Sequence, residues 1–181
     1  MIPTIITSFF ARAAAPPYRG VIQLRSRLLV LLTHRLALPV LKLIRRPEVF
    51  PYTREQLQSL PEGSLGRALA VLLDANRFAL LTHYAKHDMK HILLDYPTTD
   101  KGEVCLQAFM LGNGHISFPV ASTLVFGLFT MPEYWGSFLT AWRRGRRAQA
   151  ISGWNWPALV EVPTLELKRR IFEVGGRKPE V

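Results

Sequence analysis

Twenty-nine consecutive residues, Val104 to Pro132, contain no Asp, Glu, Lys or Arg. A chain cannot leave so apolar a stretch uncovered, so it must cross a bilayer or form the inside of a fold. Crossing is disfavoured: Gln107, Asn113, His115, Ser117, Pro119, Ser122, Thr123 and several glycines interrupt the run, and a spanning helix needs about 20 predominantly apolar residues. The expectation is a buried helical hairpin, with "EVCLQAFML" as one arm and "GNG" (Gly112 to Gly114) as the break. The same helices could wall a cavity for a long apolar ligand. Within the stretch, "ISFPVASTLVF" is the main strand-like signal, because it is rich in β-branched residues.

The rest reads as helix. In "SLPEGSLGRALAVLLDANRFALL", Pro61 and Ser64 are helix-start residues, and Leu65, Leu69, Leu72 and Leu73 follow at helical spacing. The pattern continues, with a break near Asn76, into "ALLTHYAKHDMKHILLDY", and "YPTTDKG" turns the chain. Pro132 starts a helix carrying Tyr134, Trp135, Phe138, Leu139 and Trp142, and Pro157 and Pro163 start two short ones. The sequence therefore predicts an all-α fold, a single-domain helical bundle over residues 21–173. A flexible lead (1–20) precedes it and a disordered tail (174–181) follows.

Charge is unevenly placed. The net charge is +10, yet residues 1–47 hold eight Lys or Arg and no acid, and "WRRGRR" (Trp142 to Arg147) is a second basic patch. Such a distribution points to an anionic partner. Nucleic acid is not expected, since aromatic residues do not interleave with the charges and no reader motif is present. "VIQLRSRLLVLLTHRLALPVLKLIRR" combines an apolar face with arginines, which suits a helix lying in a membrane interface or a core helix with solvated arginines. The first twenty residues have no charged n-region and only a short apolar run, unlike a signal peptide; being acid-free they leave a mitochondrial presequence open, though they are short and poor in Arg for one. Cys105, the single cysteine, excludes an intramolecular disulfide and any Cys-rich zinc site.

The densest chemistry lies in "YAKHDMKHILLDYPTTDKGE". At about 100° per helical residue, His91 falls roughly 40° from His87 and Asp88 roughly 100° away, so all three share an arc. Two imidazoles one turn apart can converge on an ion, with Asp88 as a third ligand or as a group that orients a histidine. Eleven residues separate His91 from Glu103, enough for a tight hairpin to return Glu103 to the level of His91. Two nitrogens and two carboxylates suit zinc, cobalt, iron or manganese better than calcium or magnesium. Other readings stand beside this one. Asp100 to Glu103 can form a capping box, leaving Glu103 a helix cap. His83 continues the histidine stripe one turn earlier, which is then merely polar, and Asp88 can pair with Lys86 or Lys90. His115 reads as a loop residue and Cys105 as core.

"HDMKHILLDYPTTDKGE" has the pattern H-D-x-x-H, eleven residues, then E. It resembles the motif of the coenzyme Q (ubiquinone) biosynthesis protein four family. "LQSLPEGSLGRALAVLLD", "GEVCLQAFMLGNG" and "RRGRRAQAISGWNWPALVEVPTLELKRRI" are similar to family segments in position and character, and the likeness covers about residues 20 to 173. The resemblance implies an all-helical homodimer that binds a divalent metal and isoprenoid lipid at the membrane where ubiquinone is made. It implies metal ligands at His87, Asp88, His91 and Glu103, with zinc foremost and cobalt, iron or manganese as alternatives. The implied activity is oxidative decarboxylation, with hydroxylation at C1, of a polyprenylated aromatic quinone precursor. The alternative is a non-catalytic isoprenoid-binding scaffold for other quinone-biosynthesis enzymes. The implied location is the cytoplasmic face of a bacterial inner membrane, or the matrix face of the mitochondrial one. A phosphohydrolase would need a further His and Asp in suitable places, and a zincin-like protease needs Glu after the first histidine.

Overall fold

The computed structural model describes residues 49–173, together with Gly20 and Leu24. Apart from those two positions, the expected lead (1–20), the basic N-terminal helix and the tail (174–181) lie outside the described residues.

Helix α1 (Arg54–Ser59) starts at a capping box: the Gln56 amide donates to Thr53 Oγ1 at 3.3 Å, and the Thr53 amide donates to Gln56 Oε1 at 2.7 Å. Helix α2 (Leu65–Asn76) is capped by Ser64, whose Oγ accepts from the Arg67 amide. Leu65, Leu69 and Leu73 form its buried stripe, as their spacing predicts. The expected break after Asn76 is present. Arg77 takes the left-handed conformation (φ 55°), and the Phe78 amide reaches back to the Leu73 carbonyl at 2.8 Å.

The helical pattern resumes only at α3 (Ala85–Leu94), so His83 lies in the turn before it. The expected extension of the histidine stripe to His83 is therefore corrected. A second left-handed residue, Asp95 (φ 57°), ends α3. Helix α4 (Asp100–Gly112) is capped by Thr99, whose hydroxyl accepts from the Gly102 amide at 3.2 Å. Asp100 is thus a first-turn acid, favoured there by the helix dipole, and not the cap of a box with Glu103.

Helix α4 is buried almost all round, which explains why its sequence carries no charge after Glu103. Leu106, Phe109 and Met110 face the larger core, with Leu69, Leu73, Met89, Leu93 and Ile171. Val104, Cys105 and Ala108 face a second core made with Phe126, Met131, Phe138 and Ala141. Helix α5 (Phe118–Thr130) forms the other arm of the hairpin, and the strand-like "ISFPVASTLVF" folds as its beginning. Pro119 in the first turn, where its missing N–H costs nothing, favours that outcome.

The hairpin is only half buried, which corrects the expectation. In α5 only Val120, Phe126 and Gly127 are buried, while Ile116 just before it is 80% exposed and Phe129 is 83% exposed. After a 3₁₀ turn (Pro132–Tyr134), α6 (Trp135–Arg147) crosses α4 in the most extensive helix pair among the described elements. A second 3₁₀ turn (Trp156–Leu159) leads to α7 (Thr164–Phe172). This last segment docks on the start of α2 through Leu65 N–H to the Val162 carbonyl (2.9 Å) and Gly66 N–H to the Val160 carbonyl (2.8 Å). The described residues thus form one all-α bundle, as predicted, and no helix among them is long and apolar enough to cross a membrane.

Candidate metal centre

Helix α3 turns Ala85, Met89 and Leu93 into the core and carries His87 and His91, one turn apart, beside them. The reversal to α4 is tight because Gly102 lies on the Pro97 carbonyl, where any Cβ would collide with the oxygen. That contact holds the first turn of α4 against the end of α3 and places Glu103 at the level of the histidines.

Three side-chain atoms converge. His87 Nε2 lies 3.0 Å from His91 Nε2 and 3.1 Å from Glu103 Oε2, and His91 Nε2 lies 3.1 Å from Glu103 Oε1. The imidazole rings meet edge to face, with centroids 4.7 Å apart. His91 is buried (3% exposed), whereas His87 and Glu103 are partly open to solvent. Zinc–nitrogen bonds of about 2.0–2.1 Å put neighbouring tetrahedral ligands roughly 3.3 Å apart, so the triangle is close to the size of one face of such a site.

Protonation sharpens the point. His91 Nδ1 lies 2.9 Å from the Tyr96 carbonyl oxygen, which only accepts, so Nδ1 carries a proton. A neutral His91 therefore aims the lone pair of Nε2 at the Glu103 carboxylate. Lone pairs crowded into one space favour a positive charge among them, either a proton or a metal ion. Burial opposes the charged form of His91, but hydrogen bonding and attraction to Glu103 outweigh it and raise its pKa. Burial would likewise raise the Glu103 pKa, yet hydrogen bonds from the two imidazoles hold it well below the usual carboxylate range.

Of the four residues the sequence singled out, His87, His91 and Glu103 form the compact group, and Asp88 stands outside it. Asp88 is half-buried, and its pKa is raised first by burial and further by Glu103, against the pull of His87 and His91. It is electrically part of the site without sharing its centre. His115 lies in the loop beyond α4, at the opposite end of that helix from Glu103. Cys105 is buried in the second core, as expected.

Sequence reading missed Tyr84, whose ring meets His87 edge-on at 6.2 Å. Burial, then Glu103 and Asp88, raise its phenol pKa. Its position three residues before His87 was the available signal.

No family model matches the chain. A human relative, the mitochondrial "Ubiquinone biosynthesis protein COQ4 homolog", is 34% identical over a match covering 35% of this chain and 32% of the relative. The chain thus matches about a third of that protein's length. The fold is shared with the crystal structure of a Nostoc punctiforme protein that carries a provisional ubiquinone-biosynthesis name. The TM-score is 0.55 at 22% identity, over 87% of this chain and 82% of that one. The partial match to the human relative supports the resemblance to the ubiquinone biosynthesis protein four family that the H-D-x-x-H…E motif indicates, and the Nostoc structure shows that the fold is shared.

Proposed function

We propose that the protein acts in ubiquinone biosynthesis as a metal-dependent enzyme: it removes the C1 carboxyl of a polyprenylated aromatic precursor and leaves a hydroxyl in its place. The observation that carries this reading is the triangle of two imidazole nitrogens and one carboxylate, each 3.0–3.1 Å from the next. His87, His91 and Glu103 would hold a divalent transition metal, zinc foremost, with cobalt, iron or manganese as alternatives. Asp88 would complete the ligand set or orient an imidazole. Held by His87, His91 and Glu103 with Asp88 only orienting an imidazole, the metal would keep a coordination position for substrate, as a catalytic site does; with Asp88 as a fourth ligand it would be closed, as a structural site is. When bound, the metal supplies Lewis-acid stabilisation of charge on the ring oxygens as the carboxylate departs. The exchange of carboxyl for hydroxyl also needs dioxygen and a two-electron reductant: one oxygen atom enters the ring, the other leaves as water, and the carboxyl leaves as carbon dioxide.

The exposed faces support work at a membrane surface. Ile116, Phe118, Val125, Leu128 and Phe129 expose an apolar strip on and beside α5, and Trp135 and Leu139 extend it onto α6. Arg143, Arg146 and Arg147 lie toward the other end of α6. An apolar strip with cations nearby suits an anionic leaflet and gives a prenyl tail a route from the bilayer. The cytoplasmic face of a bacterial inner membrane is the proposed location, with the mitochondrial matrix face as the alternative. The same strip favours a second reading, a non-catalytic isoprenoid-binding scaffold, acting as a homodimer, that organises other quinone-biosynthesis enzymes.

The test incubates purified protein, loaded in turn with each metal, with prenylated 4-hydroxybenzoate in anionic liposomes under air with a two-electron reductant such as ascorbate. The decarboxylated, hydroxylated ring is sought by mass spectrometry. Turnover that His87→Ala and Glu103→Gln abolish supports the enzyme. Metal and lipid binding without turnover by any metal selects the scaffold. Failure to bind any metal sinks the reading of the site.

A further inference from the structure

We propose that Arg144 is a positioning residue for this centre, acting on His91 through the end of α3. The inference rests on the metal reading above and extends it to a residue on a different helix.

Arg144 Nη1 donates to the Leu94 carbonyl at 2.5 Å. Leu94 is the last residue of α3, so the bond satisfies a carbonyl that has no partner within its own helix. The guanidinium carbon lies 4.3 Å from the ring centroid of Phe172, 5.4 Å from that of Tyr96 and 5.8 Å from that of Phe109. No carboxylate forms an ion pair with Arg144 among the described residues. Its charge is spent on one backbone carbonyl and three aromatic faces, a use for which a planar guanidinium is better shaped than an ammonium.

These contacts bracket the turn that serves His91. The chain passes from Leu94 through left-handed Asp95 to Tyr96, and the Tyr96 carbonyl receives His91 Nδ1–H at 2.9 Å. That acceptor fixes which imidazole nitrogen carries the proton, and so keeps the Nε2 lone pair facing His87 and Glu103. Arg144 grips the residue two before Tyr96 by hydrogen bond and covers the Tyr96 ring. It therefore sets where the acceptor stands. Removing such a support from a metal-ligating histidine commonly weakens metal binding about 10- to 100-fold.

The test is cobalt(II) titration of the full chain, followed by visible absorption and by competition with a chelating indicator. Wild type is compared with Arg144→Met, Arg144→Lys and His87→Ala, and with Leu57→Ala as a core variant on α1 that loses stability without touching the site. Arg144→Met is expected to bind cobalt about 10-fold more weakly with an altered ligand-field spectrum. Arg144→Lys, which can still donate to Leu94 but cannot stack as a plane, should fall between. Leu57→Ala should keep the wild-type spectrum and affinity. If Arg144→Met does not fold, Arg144→Lys decides. Wild-type affinity and spectrum in a folded Arg144 variant overturn the proposal, as does a Leu57→Ala variant that shifts the spectrum equally. His87→Ala separates the two levels. Unimpaired cobalt binding there overturns the metal reading itself, whereas lost binding there with unaffected Arg144 variants overturns only the positioning role.

Discussion

Gly145 of α6 rests on the backbone of Phe109 of α4. A Cβ on Gly145 would be driven into the Phe109 carbonyl oxygen and would come within 3.1 Å of the Asn113 amide nitrogen. Gly112 makes the reciprocal contact with the Trp142 carbonyl. The two helices therefore touch backbone to backbone, and neither obstacle is a flexible side chain that could step aside. Gly145→Ala is expected to cost about 3 kcal/mol, the upper end of typical overpacking penalties. Gly136, on the same helix, has nothing within 4 Å of its Cβ position. There alanine should stabilise by up to about 0.5 kcal/mol, less than in a helix interior because Gly136 lies in the first turn. Equilibrium urea unfolding of the two variants checks both signs, and a neutral Gly145→Ala would contradict the crossing.

Asn113 locks the end of the same crossing. Its buried Nδ2 lies 3.2 Å from the Gly145 carbonyl and 2.9 Å from that of Gln149, and its Oδ1 accepts from the Ile151 amide at 2.9 Å. Alanine here would strand several buried backbone groups at once, each worth about 1–3 kcal/mol when left unpaired. Asn113→Ala is expected to destabilise by about 3 kcal/mol, measured by the same unfolding experiment. Asn113→Asp should fail similarly, because a carboxylate cannot donate to the carbonyls.

These two residues mark where sequence reading stops. "GNG" was legible as a helix break, because glycine and asparagine end helices by local conformation. That its asparagine ties together a segment more than thirty residues away is a tertiary fact with no local pattern. The same division runs through the site. His87 and His91 share a face by helical period alone, so their approach could be read from spacing. Glu103 needed a turn of the right tightness, and Gly102 against Pro97 supplies it. Asp88 shows the limit of angular reasoning: it shares an arc with the histidines yet stands outside their group. The exposed face of α5 was hidden because an uncharged helix looks the same whether a core or an external surface covers it. Arg144 was read only as part of a basic patch, since nothing local links it to α3.

The Tyr96 hydroxyl is buried without a hydrogen bond of regular geometry, and the polar group acting on it is the Arg144 guanidinium, which partly offsets the rise in its pKa that burial causes. The residue's backbone carbonyl, by contrast, serves His91. Tyr96→Phe removes a poorly satisfied hydroxyl, keeps the ring under Arg144 and leaves the carbonyl in place. It is expected to be neutral or to stabilise by about 1 kcal/mol, with metal affinity unchanged within twofold. Calorimetric titration with zinc together with thermal unfolding checks it. A large loss of affinity would show that the hydroxyl belongs to the site.

Proton and metal should compete for the same space, with opposite dependence on pH. His91 has its folded pKa raised above the ordinary 6.5, so in metal-free protein its stabilising contribution is complete below that value. The contribution is lost as pH rises through the folded pKa. Glu103 has its pKa depressed below the ordinary 4.5. Its contribution is complete above that value and lost only in stronger acid, as pH falls through the folded pKa. From His91 the metal-free protein should therefore lose thermal stability as pH rises above 6.5, until Lys90, whose pKa burial lowers to about 8, begins to add stability with rising pH. Zinc requires the imidazoles deprotonated, so the rise in Tm on adding zinc should grow over the same range. Glu103→Gln withdraws the charge that raises the His91 pKa, and should flatten the metal-free slope while weakening the zinc response. Differential scanning fluorimetry at constant ionic strength, with and without zinc, reads both effects. A zinc-induced shift equal at pH 6 and pH 8.5 would mean that the metal binds somewhere other than between these imidazoles.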